Sequence, residues 1–335
     1  MSNAPRPPDP SRIAAAADAV DPVFLASPLI GNRALDERLG CTLLAKVETL
    51  NPIRSFKGRG TDFAMAALPA GVRRVVSASA GNFGQGIAYA AAKRGMEAVI
   101  YAAETANPLK VEAMRRLGAR VVLEGQDFDA AKLAGRAFAE AAGSMFLEDG
   151  AVPEVAEGAG TIAVELTRGG AAFDAVLVPL GNGALATGMG AWLKAERPEC
   201  RVVGVVAEGA PSMLRSWRSG SAVETEAART IADGIAVRVP VPYALACMGA
   251  TVDAVLAVSE ESILAAMRLV HESLGLAVEP AGVAGAAALI EHGPRFRGGR
   301  VATVLCGGNL TPDQIQRWLC PPTPAGERRP ERGNA

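Results

Sequence analysis

Lys57 stands between Phe56 and Gly58 in the stretch SFKGRG, residues 55–60. Lysine ordinarily extends into water and phenylalanine leaves it, so the pair suits an amine held partly inside the protein. Burial disfavours the ammonium form, and a neutral lysine amine is a nucleophile that bonds to carbonyl carbons. The alternative is an ordinary surface lysine beside a core phenylalanine. Four glycine-containing turns favour the first reading: ASAGNFGQG (78–86), GNGALATG (181–188), Glu208 with Gly209, and CGGN (306–309), each after a short apolar run. Amides left free where such a turn opens a helix attract anions. One turn of this kind is weak evidence; four, together with the lysine, are much stronger.

The elements that must position these turns alternate in type. RRVVSAS (73–79), EAVIYAA (97–103), ARVVLEG (119–125), MFLED (145–149), FDAVLVPL (173–180), CRVVGVVAEG (200–209), VDAVLAVS (252–259) and GGRVATVLCGG (298–308) read as strands. NFGQGIAYAAAKRG (82–95), NPLKVEAMRRLG (107–118), DFDAAKLAGRAFAEAAG (127–143) and EESILAAMRLVHESLG (260–275) read as helices. Near-continuous apolar strands separated by helices imply parallel sheets covered on both faces. The predicted fold class is α/β, with two parallel-sheet domains and flanking helices. A small domain takes residues 73–155, and a large one takes 1–72 and 156–320. Ligands of such sheets bind beyond the carboxyl ends of the strands, where the glycine turns lie. The first dozen residues and the tail 321–335, rich in proline and polar groups, are expected to be disordered.

Composition narrows the function. The chain has 335 residues, a formal net charge of −1 and 4% aromatic residues. Neither a charge run nor a stacking platform offers itself to nucleic acid. No apolar run is long enough to span a bilayer, and MSNAPRPPDPSR lacks the apolar stretch of a secretory signal. The five cysteines are scattered, with no CxxC pair, and only His271 and His292 could join them, so no metal site is expected. Together these features place the protein in a reducing, cytoplasmic compartment, acting on a small molecule.

A competing reading starts from Gly181, Gly183 and Ala186, which fit G-x-G-x-x-[GA] between a strand and a helix, with Glu208 at the spacing of a ribose-binding acid. That would make a nicotinamide-dependent oxidoreductase, but it leaves SFKGRG, SAGN and CGGN without a role.

SFKGRG, SASAGNFGQG, GNGAL, IADGIAV, EPAG and CGGN occur in one order. In that order the chain, over about residues 25–320, resembles the fold type II pyridoxal-phosphate enzymes, with their tryptophan synthase β-like architecture, in the threonine and serine dehydratase (ammonia-lyase) branch. The resemblance implies the cofactor pyridoxal 5'-phosphate, bound covalently by Lys57, with Phe56 packed beside its ring. It implies that Ser79, Ala80, Gly81, Asn82 and Phe83 bind the substrate carboxylate, and that Asn82 also touches the cofactor's phenolic oxygen. Gly181, Asn182, Gly183, Ala184 and Leu185 would cradle the phosphate through backbone amides. Gly234 would sit near the substrate, Glu279 near the cofactor, and Cys306 would face the pyridine nitrogen. Simpler readings make Cys306 a core cysteine, Glu279 a cap for the helix begun by Pro280, and Asn82 a helix N-cap.

The implied reaction is β-elimination of water from L-threonine or L-serine, giving a 2-oxo acid and ammonia, in a homodimer. The alternatives within the family are β-replacement, as in cysteine synthases, and dehydration of a larger β-hydroxy amino acid. This chain departs from the family pattern at several positions. Asn182 and Ala184 interrupt the usual glycines of the phosphate loop. Phe83 stands where histidine is frequent, making the substrate end more apolar. Ala80 stands where racemases carry a second serine, so racemisation should be weak. Ser212 and Leu214 occupy the positions of a possible cation site, so no such metal is expected.

Overall fold

The computed structural model describes residues 6–320. Its ten strands are β1 (Leu29–Ile30), β2 (Thr42–Val47), β3 (Arg74–Ala78), β4 (Glu97–Ala102), β5 (Arg120–Leu123), β6 (Met145–Leu147), β7 (Ala175–Pro179), β8 (Arg201–Ala207), β9 (Ala254–Val258) and β10 (Arg300–Leu305). They form a six-stranded sheet in the order β1-β2-β10-β7-β8-β9 and a four-stranded sheet in the order β5-β4-β3-β6. Every pairing is parallel except that of β1 with β2. The fold is the α/β arrangement expected from the sequence, and every strand-like run has its strand.

The strands β7, β8 and β10 are buried almost throughout. Hydrophobic clusters cover both faces of the six-stranded sheet. One includes Leu43, Val205 and Leu305, the other Val178, Val202 and Val304. Alternate residues of a strand face opposite ways, so strands buried on both faces read as unbroken apolar runs.

The two sheets are bridged by packed helices. Helix Lys57–Ala66 lies against helices Asn82–Lys93 and Pro153–Arg168. A Cβ on Gly158 would meet the Arg59 carbonyl at 2.5 Å, and one on Gly60 would run into the Val155 carbonyl. The second glycine of KGRG is therefore a close-packing residue, and it fixes where Lys57 starts its helix.

The N-terminal expectation needs correction. Helix Pro10–Ala19 is ordered: Asp9 accepts the Ser11 amide, and Arg6 and Arg12 reach the buried Glu157 at 3.0 and 2.8 Å. The helix buries Ile13 and Ala16 in the core, and ion pairs to Glu157 hold the proline-rich residues at its start. Residues 1–5 and the tail 321–335 lie outside the described residues.

Candidate active site

Lys57 is the first residue of its helix, and the loop before it is tightly braced. The Asn51 side chain accepts the amides of Ile53 and Ser55 and donates to the carbonyls of Glu48 and Ser55. Arg54 adopts φ 51°, a left-handed conformation that costs a non-glycine residue about 1–2 kcal/mol. The Phe56 amide and the Ser55 hydroxyl both donate to the Cys306 carbonyl at 3.1 Å. These bonds tie the lysine to the carboxyl end of β10.

The Lys57 amine enters a pocket of about 460 Å³. It lies 4.7 Å from the centre of the Phe56 ring and 5.8 Å from that of Phe83, and 2.7 Å from Asp149 Oδ2. Phe56, Ser79, Ala80, Gly81, Asn82, Phe83, Asn182, Gly234, Glu279 and Cys306 all line the same pocket. Gly181, Gly183, Ala184 and Leu185 are not part of the lining; they form the turn behind Asn182 and the start of helix Ala184–Glu196.

The asparagine loop leaves three amides open. Ser79 Oγ accepts the amides of Gly81 and Gly84, at 3.2 and 3.0 Å. The amides of Ala80, Asn82 and Phe83 donate to no acceptor among the described residues. Gly81, not Asn82, is the N-cap of helix Asn82–Lys93. The Asn82 side chain instead donates to Glu279 Oε1 at 2.7 Å and accepts from Asn309 Nδ2 at 2.8 Å. Glu279 likewise makes no side-chain cap of its own turn; its other oxygen accepts the Asn309 amide at 3.3 Å. Burial, with Asp233 adding to it, pushes the Glu279 carboxyl above its ordinary value against the pull of Lys110 and Asn82.

The turn at 181–183 presents a second set of donors. The amides of Gly181, Asn182 and Gly183 have no acceptor among the described residues, and Gly183 caps the helix with φ 95°. The Asn182 side chain turns away to Asp149, at 3.3 Å. The departure from glycine therefore leaves the backbone donors in place. Burial raises the Cys306 thiol well above its ordinary value, so it is a neutral group.

Two pocket residues, Asp149 and Lys110, and one residue that braces the pocket, Asn309, escaped sequence reasoning. Asp149 faces Lys57 from the loop after β6. Asn309 braces Asn82; its motif was visible, its role was not. Lys110 lines the pocket beside Gly81 and pairs with Asp233 from the other sheet's side of the pocket. Burial opposes the Lys110 charge, but Asp233 and Glu279 outweigh it and hold the amine above its ordinary value. Nothing in the local sequence marks any of these pairings, whose partners are far apart along the chain.

This donor set fits a phosphorylated aldehyde with an aromatic ring. Open amides at a helix N-terminus suit a phosphate, the lysine suits an aldehyde, and a neutral thiol and an apolar wall flank the space between. Among the described residues no group of three or more His, Cys, Asp or Glu side chains is placed to hold a metal ion.

The family model described as pyridoxal-phosphate dependent enzyme matches residues 20–307. An L-threonine ammonia-lyase of Thermotoga maritima is 38% identical over 85% of this chain and 71% of the relative. An L-threo-3-hydroxyaspartate ammonia-lyase of a Pseudomonas species is 33% identical over 88% of this chain and 93% of the relative. The solved threonine deaminase of T.th. superposes with a TM-score of 0.86 at 35% identity, covering 91% of this chain and 99% of that one.

Proposed function

Because the chain belongs to the pyridoxal-phosphate-dependent enzymes, we propose that it removes water from a small β-hydroxy amino acid, L-threonine or L-serine, and so releases a 2-oxo acid and ammonia. The observation that carries this reading is the Lys57 amine in a pocket lined by the asparagine loop with its open amides and by Asn182, whose turn supplies further open amides behind it. Ammonia-lyases acting on hydroxy amino acids stand among the relatives.

When bound, pyridoxal phosphate supplies a carbonyl carbon for the substrate amine and an electron-withdrawing ring. Lys57 holds the cofactor covalently at rest. Once displaced by the substrate amine, its neutral amine takes the proton from Cα. The amides of Ala80, Asn82 and Phe83, with the Ser79 hydroxyl, hold the substrate carboxylate. The amides at 181–185 hold the phosphate. Glu279 and Asn309 fix the Asn82 side chain, which would meet the cofactor's phenolic oxygen, and Gly234 would leave room for substrate. Cys306, a neutral thiol in the pocket lining, would meet the ring nitrogen without a charge. Phe56 and Phe83 keep water from the reacting carbon. Ala80 offers no hydroxyl to the opposite face of Cα, which favours elimination over racemisation.

The division into a small domain (73–155) and a large one (1–72 with 156–320) is part of the proposal, supported by the two separate sheets. So are a homodimeric state and a cytoplasmic location; no described helix is long and apolar enough to cross a membrane. The nicotinamide reading is set aside, because family membership accounts for the same glycine turn.

The test is to incubate the holoenzyme with L-threonine or L-serine and no added nucleophile, and to assay 2-oxo acid and ammonia. Equimolar release of both supports the reading. Turnover only with an added nucleophile would replace elimination by β-replacement.

A further inference from the structure

Asp149 has the chemistry of a reaction partner and no place in the mechanism so far. Its Oδ2 lies 2.7 Å from the Lys57 amine and 3.3 Å from Asn182 Nδ2. Its Oδ1 is buried and has no hydrogen-bond partner among the described residues. A buried carboxylate oxygen without a donor costs about 1–3 kcal/mol or more, so such groups concentrate where another state of the protein uses them. The position is also fixed. Gly150 follows with φ 79°, and a Cβ there would run into the Asn182 carbonyl and side chain. The turn that carries Asp149 is thereby clamped onto the turn that carries Asn182.

Resting on the reading of Lys57 as the base, we propose that Asp149 is the positioning residue that pairs with the Lys57 ammonium, in the apoprotein and again once the freed neutral amine has taken the α-proton. The proton balance is simple. The lone pair of the neutral amine takes the α-proton, the Cα–H bond breaks, and the electron pair left on Cα forms the new C=C bond as the β C–O bond breaks; the oxygen departs with the bonding pair and leaves as water after taking a proton from solvent. The lysine is now an ammonium, and one of its N–H bonds donates to Asp149 Oδ2. Asp149 itself gains no proton. A carboxylate at this distance stabilises the charge that the base acquires. The same contact opposes cofactor loading, because the amine must shed its proton and leave Asp149 before it can attack an aldehyde.

The two effects have opposite signs, and that separates this role from a structural one. Asp149→Asn keeps an acceptor for Asn182 and removes the charge. The apoprotein variant mixed with pyridoxal phosphate at neutral pH should form its borohydride-reducible linkage to Lys57 several-fold faster than the unsubstituted protein. Its turnover of threonine should fall about 10–100-fold, up to the low end of what full proton-transfer assistance contributes, and the kinetic isotope effect of α-deuterated threonine should rise. If Asp149→Asn fails to fold, Asp149→Ser is read in the same way. Loading and turnover slowed together, or both unchanged, would overturn the proposal while the Lys57 linkage stands. Absence of any reducible linkage in the unsubstituted protein would overturn the reading beneath it as well.

Discussion

Lys57 and Arg59 are two residues apart on one helix, and their surroundings are opposites. Arg59 is fully buried, and every nitrogen of its guanidinium is used. Glu48 accepts at 2.9 and 2.8 Å, Glu165 at 2.6 and 3.2 Å, and Thr161 and Ser27 at 3.1 Å each. Lys46 completes the cluster by pairing with Glu165 at 2.6 Å. Burial works against the Arg59 charge, yet Glu48 and Glu165 outweigh it and hold the guanidinium above its ordinary value. Burial likewise opposes ionisation of Glu165, but Arg59 and Lys46 prevail and keep it below its ordinary value. Lys57 has one carboxylate, and that carboxylate keeps an oxygen without a donor. A saturated ionic cluster can only be scaffold, since no ligand has anything to add to it. An unsaturated one beside open amides is where a ligand can supply the missing partners.

Two substitutions test that contrast. Lys57→Ala should reduce turnover by at least about 10²–10⁴-fold, the range of a lost general base, and abolish covalent attachment of the cofactor. Its thermal midpoint should stay within about 2 °C, since nothing saturated is broken. Kinetics and calorimetry on the same sample check both halves. Arg59→Met should do the reverse. It leaves Glu48 buried without its cation and Glu165 with Lys46 alone, a loss of about 3–5 kcal/mol of stability. The fraction that folds should still attach cofactor at Lys57. Urea denaturation followed by tryptophan fluorescence measures the loss; a cost under about 1 kcal/mol would remove the distinction between the clusters.

Phe83→His acts inside the pocket without touching either ion pair. It replaces an apolar wall within 5.8 Å of the lysine amine. The ratio of kcat/KM for threonine over serine should fall about tenfold, the low end of what one methyl group contributes in an apolar pocket. Competition between the two substrates measures this ratio directly.

Much of this was legible in the chain and some was not, for physical reasons. Strands such as AVLVP and RVVGVVA announce themselves because burial on both faces leaves no polar gap. The β2 strand gave no such signal: Lys46 interrupts it, and the carboxylate that permits Lys46 to be buried, Glu165, lies on a distant helix. The ligand-facing motifs were readable because glycine and asparagine at turns are locally unusual. The bracing of Asn82 by Glu279 and Asn309 was not, since those partners are 197 and 227 residues away. Asp149 sits in an unremarkable LEDG turn, and only the fold brings it to Lys57. The N-terminal stretch misled in the other direction, because ion pairs to Glu157 order residues whose composition resembles a disordered segment.

The smallest expected change is at Cys306. On the proposed placement of Cys306 at the ring nitrogen, Cys306→Ser exchanges one neutral group for another and should hold the elimination rate within about tenfold, or roughly 1.4 kcal/mol of barrier. Steady-state kinetics checks it, and a larger fall would mean that the thiol does more than remain neutral.

The most direct measurement on the central claim is borohydride reduction of the holoenzyme followed by proteolysis and mass spectrometry. The expected result is one phosphopyridoxyl group per chain, on the peptide containing Lys57, with none trapped on Lys46 or Lys110 and none in Lys57→Ala. A label on another lysine, or one that survives in Lys57→Ala, would contradict it.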